Sequence, residues 1–64
     1  MRINGTEVVL SADTSLLAYL QQQGYQLSRI AVEYNGKILK REQYASVILA
    51  PEDCVEIVSF VGGG

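Results

Sequence analysis

The run Val55-Glu56-Ile57-Val58-Ser59-Phe60-Val61, followed by Gly62-Gly63-Gly64, decides how this chain is organised. Its β-branched residues predict a strand from about 55 to 61. The three glycines add no side chain to a core, so we expect residues 62–64 to form a flexible tail. An extended residue spans about 3.3–3.6 Å, so the tail would reach roughly 10 Å. We therefore predict a single domain at residues 1–61 that presents Gly64 as a free backbone end.

The composition narrows the possible functions. Sixty-four residues, 48% of them hydrophobic, predict one small folded domain with no room for a buried catalytic cleft. The net charge of −2 gives no basic stripe for nucleic acid. No apolar run approaches the roughly 18 residues of a membrane span, so we predict no membrane contact and a cytoplasmic location. Without histidine and with Cys54 alone, we expect no metal site and no catalysis by this chain.

The first half of the chain predicts a hairpin and a helix. Asn4-Gly5 stands between two β-prone runs within residues 2–10, which is the strongest short hairpin signal. Residues 13–15 offer helix N-caps before an apolar stripe at three-to-four-residue spacing, and Gly24 is a natural stop. We expect the helix to run from about Ser15 to Gln23 and to cover one face of a sheet.

The second half predicts further strands. Residues 29–34 form a β-prone run, and Asn35-Gly36 leads from it into a short strand at 37–39. Residues 40–44 predict a loop and a short helical turn. The apolar stretch 45–50 is compatible with one more strand. Together these elements predict an α+β domain of the β-grasp type, with a mixed sheet of about four to five strands packed on one main helix. The last strand would lie between earlier strands, because its Val and Ile content suits a buried position.

Alternation along the last strand divides its side chains between two faces. Val55 and Ile57 would face the helix, because the charged Glu56 indicates that the other face of the strand is exposed to water. We assign the remaining core to Ile3, Leu16, Leu20, Ile30, Val32 and Leu39. Val58 and Phe60 would then be exposed beside the tail, where an apolar pair suits docking to a partner. The alternative is that Phe60 folds over the sheet edge and only packs.

Three stretches resemble the ThiS family of sulfur carrier proteins, which are small ubiquitin-like β-grasp proteins of thiamine biosynthesis. They are Val32-Glu33-Tyr34-Asn35-Gly36 with Ile38-Leu39, the segment Arg41-Glu42-Gln43-Tyr44, and the ending from Asp53 to Gly64. The resemblance covers essentially the whole chain, and the ending is its most specific part. Lys40 departs from the proline that many relatives carry before the arginine.

The resemblance implies a carrier and not an enzyme. An E1-like adenylating enzyme (ThiF-like) would use ATP and magnesium to activate the Gly64 carboxylate, while the carrier itself binds no cofactor. A persulfide sulfur donor such as a cysteine desulfurase would then yield a Gly64 thiocarboxylate, which passes sulfur to thiazole synthase (ThiG-like). Gly62 and Gly63 would form a segment without side chains that leads to Gly64. Val58, Phe60 and Val61 would position the domain on its partner enzymes. Arg41 could join the adenylation interface or be a solvated charge.

Three other functions remain open on the sequence. One is a plain β-grasp interaction module whose glycine tail is inert. A terminal diglycine also occurs in molybdopterin synthase small subunits, which are sulfur carriers too, and in ubiquitin-like protein tags that form isopeptide links. We interpret Cys54 as a small, partly buried apolar residue at the start of a strand, and not as a persulfide carrier. We interpret Tyr19, Tyr25, Tyr34 and Tyr44 as aromatic residues at the rim of the core with solvated hydroxyls.

Overall fold

The computed structural model describes residues 1–60. The predicted boundary between a domain at 1–61 and a tail at 62–64 lies outside the described residues. The strands are β1 Arg2–Ile3, β2 Thr6–Glu7, β3 Ile30–Tyr34, β4 Lys37–Leu39 and β5 Cys54–Ser59. Helix α1 spans Leu16–Gln22, and two 3₁₀ helices span Leu27–Arg29 and Arg41–Ser46.

The five strands form one mixed sheet in the order β2-β1-β5-β3-β4. β5 pairs in parallel with β1 on one side and antiparallel with β3 on the other. The prediction that the last strand lies between earlier strands is therefore confirmed, as is the α+β arrangement of the β-grasp type. Two flanking strands remove most of the backbone of β5 from water, and this suits its buried Val55 and Ile57.

Both Asn-Gly pairs form the predicted two-residue hairpin turns. Asn4 and Gly5 have φ of 52° and 79°, and Asn35 and Gly36 have φ of 50° and 87°. A turn with positive φ at both central residues matches the twist of the flanking strands, and Asn and Gly tolerate that conformation best. These turns connect β1 to β2 and β3 to β4.

Helix α1 begins and ends where the sequence predicts. The Ser15 hydroxyl accepts a hydrogen bond from the Ala18 N–H at 3.0 Å, and the Leu16 N–H donates to the Val47 carbonyl at 2.8 Å. These bonds satisfy two of the N–H groups that lack a partner within a helix. At the other end Gly24 has φ of 80°, a left-handed conformation that stops the helix.

One core lies between α1 and the sheet. It comprises Ile3, Leu16, Tyr19, Leu20, Ile30, Val32, Tyr44, Leu49, Val55 and Ile57. All predicted core residues belong to it except Leu39, which is half-buried and packs against it from the edge strand β4. Tyr19 on α1 is buried in this core, and Tyr44 enters it because the second 3₁₀ helix packs on α1, so the interpretation of Tyr19 and Tyr44 as rim residues is wrong.

Two further predictions need correction. The stretch 45–50 forms no strand; Ile48 makes only an isolated bridge to Ser15, because the 3₁₀ helix continues to Ser46 and leaves few residues to extend. Cys54 is exposed and not partly buried. It pairs with Arg2 on the sheet face away from α1, so no side chain of the helix covers it.

Candidate functional site

The C-terminal end of β5 carries two exposed apolar side chains. Val58 is 57% exposed and Phe60 is 58% exposed, while Val55 and Ile57 are buried. The Phe60 N–H donates to the Arg29 carbonyl at 2.7 Å, so the pairing with β3 continues one residue past the strand. The predicted division of faces is confirmed. The exposed fraction of Phe60 also argues against the alternative that it folds over the edge to pack.

The open face of the sheet combines these apolar residues with acidic ones. Val58 lies opposite Ala31 in the β3–β5 register, and Glu56 lies opposite Glu33. Glu56 is exposed, as predicted from its alternation. Two carboxylates opposite each other on neighbouring strands repel, which is tolerable where water screens them. The side of Val58 nearer the beginning of β5 therefore carries two carboxylates, while the exposed Arg29 lies beside Phe60 at the other side.

The beginning of β5 is fixed by Asp53. Its carboxylate accepts hydrogen bonds from the Tyr34 hydroxyl at 2.7 Å, the Asn35 side-chain amide at 3.0 Å and the Ala50 N–H at 2.8 Å. Asp53 is only 6% exposed. Burial alone raises the pKa of its carboxyl, but the three donors outweigh burial and hold the pKa below its usual value. Asp53 is therefore an ionised structural anchor.

The two turn asparagines, Asn4 and Asn35, form hydrogen bonds to β5 at its two opposite edges. The Asn35 side-chain oxygen accepts from the Cys54 N–H at 2.8 Å, and the Asn35 N–H donates to the Cys54 carbonyl at 2.8 Å. The Asn4 side chain accepts from the Ile57 N–H at 2.7 Å and donates to the Ile57 carbonyl at 3.2 Å. The turns thus hold both halves of the central strand in place.

Sequence reasoning missed these anchoring roles. Asn-Gly signals a turn, but the partner of a turn side chain depends on which strand passes beside it. Only the position of β5 between β1 and β3 brings the side chains of Asn4 and Asn35 to this strand and places Tyr34 beside Asp53. The interpretation of Tyr34 as a residue with a solvated hydroxyl is also wrong, because that hydroxyl donates to Asp53.

The predicted site residues fall into three groups. Val58 and Phe60 share the open face at the end of β5. Arg41 is exposed and begins the 3₁₀ helix that packs on α1, so a different segment carries it, on the helix side of the sheet. Val61 and the glycines Gly62, Gly63 and Gly64 lie outside the described residues. Their predicted roles stay predictions.

Other surface features of residues 1–60 lie away from this end. An apolar groove of about 440 Å³ is lined by Met1, residues 8–13 and residues 48–51, toward the beginning of β5. Within the described part of the chain, no group of three or more His, Cys, Asp or Glu side chains is arranged to hold a metal ion. None of the helices found there has the length and apolar character needed to cross a membrane.

The topology defines this chain as a ubiquitin-like β-grasp domain whose central strand leads toward the glycine-rich end of the sequence. The model of the ThiS family matches residues 1–64. The chain belongs to the ThiS family.

Individual relatives agree with this assignment. The chain is 39% identical over 66 residues to the sulfur carrier protein ThiS of Bacillus subtilis, covering all of this chain and 98% of that protein. It is 40% identical over 62 residues to a thiazole synthase of Paramagnetospirillum magneticum, covering 97% of this chain. The chain spans about a fifth of the length of the curated thiazole synthases that it matches.

A solved structure shows the same fold. The crystal structure of the thiamine biosynthesis protein ThiS from Geobacter metallireducens superposes with a TM-score of 0.77 at 30% identity. The match covers 98% of this chain and 96% of the other.

Proposed function

We propose that this chain is a sulfur carrier of thiamine biosynthesis that holds sulfur as a thiocarboxylate on Gly64 and delivers it to thiazole synthase. The observation that carries the proposal is the 39% identity to a ThiS sulfur carrier over nearly its full length. The matches to thiazole synthases support that enzyme as the sulfur acceptor. The anchored strand β5 supports a role in presenting the residues that follow it.

The chemistry requires a partner that activates Gly64. An α-carboxylate has a pKa of about 3.3–3.7, so it is ionised at neutral pH and is a poor electrophile. An E1-like adenylating enzyme would use ATP and magnesium to form an acyl adenylate and release pyrophosphate. A persulfide sulfur then attacks the Gly64 carbonyl and AMP leaves. A second thiol then attacks the donor sulfur of this acyl disulfide and forms a new disulfide with it, which releases the thiocarboxylate on Gly64.

The residues of this chain contribute presentation and not catalysis. Val58 and Phe60 provide apolar area for docking where β5 ends, and the acidic pair Glu33 and Glu56 beside them favours a basic partner surface. Glycine has no side chain, so residues 62–64 would pass through a narrow channel. Arg41 lies on another segment, so it would contact a partner only if that partner reaches round the sheet. The proposed location is the cytoplasm.

Intact-mass spectrometry tests the proposal. The chain is incubated with ATP, magnesium, an adenylating enzyme and a persulfide donor, and the mass should rise by one oxygen-to-sulfur exchange. A chain that lacks Gly64 should show no increase. Cys54→Ser is the matched control, because Cys54 is exposed and a persulfide on it would also add sulfur. The proposal fails if the chain lacking Gly64 still gains sulfur, or if Cys54→Ser abolishes the gain.

A cell lysate and a strain-rescue experiment separate the other two functions that use a terminal diglycine. A ubiquitin-like tag would give higher-mass conjugates joined to lysines of other proteins, and these should be absent. A molybdopterin-type carrier would rescue a strain deficient in molybdenum cofactor. We expect this chain to rescue a thiamine-requiring strain instead.

A further inference from the structure

The backbone pairing of β5 extends further along its edge toward β3 than along its edge toward β1. The Asn35 N–H bonds to the Cys54 carbonyl, and the Phe60 N–H bonds to the Arg29 carbonyl. In an antiparallel pair, the residues that bond across alternate with residues whose N–H and C=O point the other way. Residues 54, 56, 58 and 60 therefore bond toward β3, while residues 55, 57 and 59 direct their backbone groups toward β1.

On the β1 side the pairing ends at Ile57. The Asn4 N–H donates to the Val55 carbonyl at 2.9 Å. At Asn4 the chain turns away into β2, and the Asn4 side chain then pairs with both backbone groups of Ile57. The side-chain amide thus substitutes for the next residue of a strand. It is the last partner that residues 1–60 supply along this edge.

Ser59 is the next residue on that edge. Within residues 1–60, the β1–β5 pairing covers only Cys54 and Val55 and the Asn4 side chain reaches only Ile57, so neither bonds to the Ser59 backbone. Ser59 is exposed. Val58 and Phe60 flank it with exposed apolar side chains. One N–H and one C=O on the same open edge are the groups that an added strand uses.

We propose that the Ser59 edge of β5 binds an extended segment of the thiazole synthase that receives the tail, which pairs with Ser59 as an added strand. This inference rests on the proposed function for the identity of the partner. The backbone bonds fix the register of the domain on the enzyme, and Val58 and Phe60 supply apolar contact on one face. Asn4 blocks pairing further down the strand, so docking is confined to the end of β5 nearest the tail.

Ser59→Pro tests the inference directly. Proline removes the N–H on the open edge and leaves the bonds to β3 intact, and proline is tolerated where a strand N–H faces outward. We expect the melting temperature to stay within a few degrees of wild type. The dissociation constant for thiazole synthase, measured by calorimetry, should rise roughly three- to tenfold, as expected for one lost hydrogen bond.

Glu7→Pro is the control for the loss of an outward N–H elsewhere in the sheet, although it also removes the ion pairs of Glu7 with the Met1 ammonium and Arg2. The Val8 N–H bonds to the Met1 carbonyl, so alternation directs the Glu7 N–H away from β1 on the outer edge of the sheet. Glu7 pairs with Arg2 near the start of β5, far from Ser59. Binding to thiazole synthase should therefore be unchanged. If Ser59→Pro fails to fold, a synthetic chain with N-methylserine at position 59 removes the same N–H without closing a ring.

The outcomes separate this inference from the proposed function. If the wild type binds thiazole synthase and a folded Ser59→Pro chain binds equally well, the inference is wrong. That result does not contradict the carrier function. Equal weakening by Glu7→Pro also overturns it, because the effect would not depend on the edge. If Ser59→Pro abolishes only self-association, the edge pairs with a second copy and the inference is wrong. No binding of the wild type defeats both proposals.

Discussion

The Tyr34 hydroxyl donates to Asp53 Oδ2 at 2.7 Å and ties the end of β3 to the residue before β5. This bond joins two elements 19 positions apart in sequence and lies beside the Asn35 bond to the same carboxylate. Because β5 leads toward the proposed reacting end of the chain, the network at Asp53 positions the beginning of the strand that we propose a partner recognises. The contribution of this network to stability can be measured from the free energy of unfolding at acid pH.

Acid should weaken the fold through Asp53. The pKa of Asp53 is lowered in the folded chain, so ionised Asp53 contributes stability above its unfolded pKa of about 3.8. That contribution is lost as the pH falls through the lower folded pKa. Asp53→Asn cannot ionise, so its free energy of unfolding should fall less steeply below about pH 4. Urea unfolding at several pH values measures both proteins. Parallel curves for the two proteins would contradict the prediction.

Tyr34→Phe should lower the free energy of unfolding by about 1 kcal/mol at neutral pH, the net value of one hydrogen bond. The bond to Asp53 raises the pKa of the Tyr34 hydroxyl, and burial adds to the effect. The wild-type fold therefore gains stability from neutral Tyr34 that is lost as the pH rises through this raised pKa. Tyr25→Phe, at a half-buried tyrosine, is the control. Equal losses in the two variants would argue against a specific role for Tyr34.

Asn4→Gly should destabilise the fold while keeping the turn, because glycine adopts positive φ readily. Two hydrogen bonds to Ile57 are lost, so we expect a decrease of about 1–3 kcal/mol in the free energy of unfolding. Hydrogen exchange gives a residue-specific measurement. The Ile57 amide should exchange faster relative to the Val58 amide, which bonds to β3. Unchanged protection of Ile57 would show that Asn4 does not hold it.

Leu20→Ala should cost about 2–5 kcal/mol, because Leu20 is fully buried between α1 and the sheet and a cavity would remain. Val9→Ala is the matched control. Val9 is 93% exposed, so its truncation should change stability by no more than about 0.5 kcal/mol. Denaturant unfolding compares the two. Similar losses would mean that the hydrophobic core is not where the structure places it.

Phe60→Ala should slow sulfur transfer onto the chain without unfolding it. Phe60 is 58% exposed, so its removal costs the fold little, while a docking aromatic typically contributes more than about 1 kcal/mol to binding. We expect the rate of thiocarboxylate formation at low carrier concentration to fall roughly five- to tenfold. Val9→Ala should react like wild type. A normal rate for Phe60→Ala would remove it from the docking surface.

Local patterns in the sequence account for most of the elements. The two Asn-Gly turns, the cap at Ser15, the stop at Gly24 and the alternation along residues 55–60 each depend on neighbours a few positions away. These features were therefore predictable from the sequence, and so was the exposure of Val58 and Phe60. The stretch 45–50 was not, since its conformation depends on how Tyr44 packs on α1.

The sequence by itself thus determined the elements and the division of β5 into a buried and an exposed face, because side-chain periodicity is a local property. Tertiary structure alone decided which groups anchor β5. Asn4 and Ile57 are 53 positions apart, and their hydrogen bonds exist only because β1 and β5 lie side by side in parallel. Within residues 1–60 the same packing gives Ser59 no partner on the β1 side, since backbone pairing is set by which strand lies alongside and not by the residue itself.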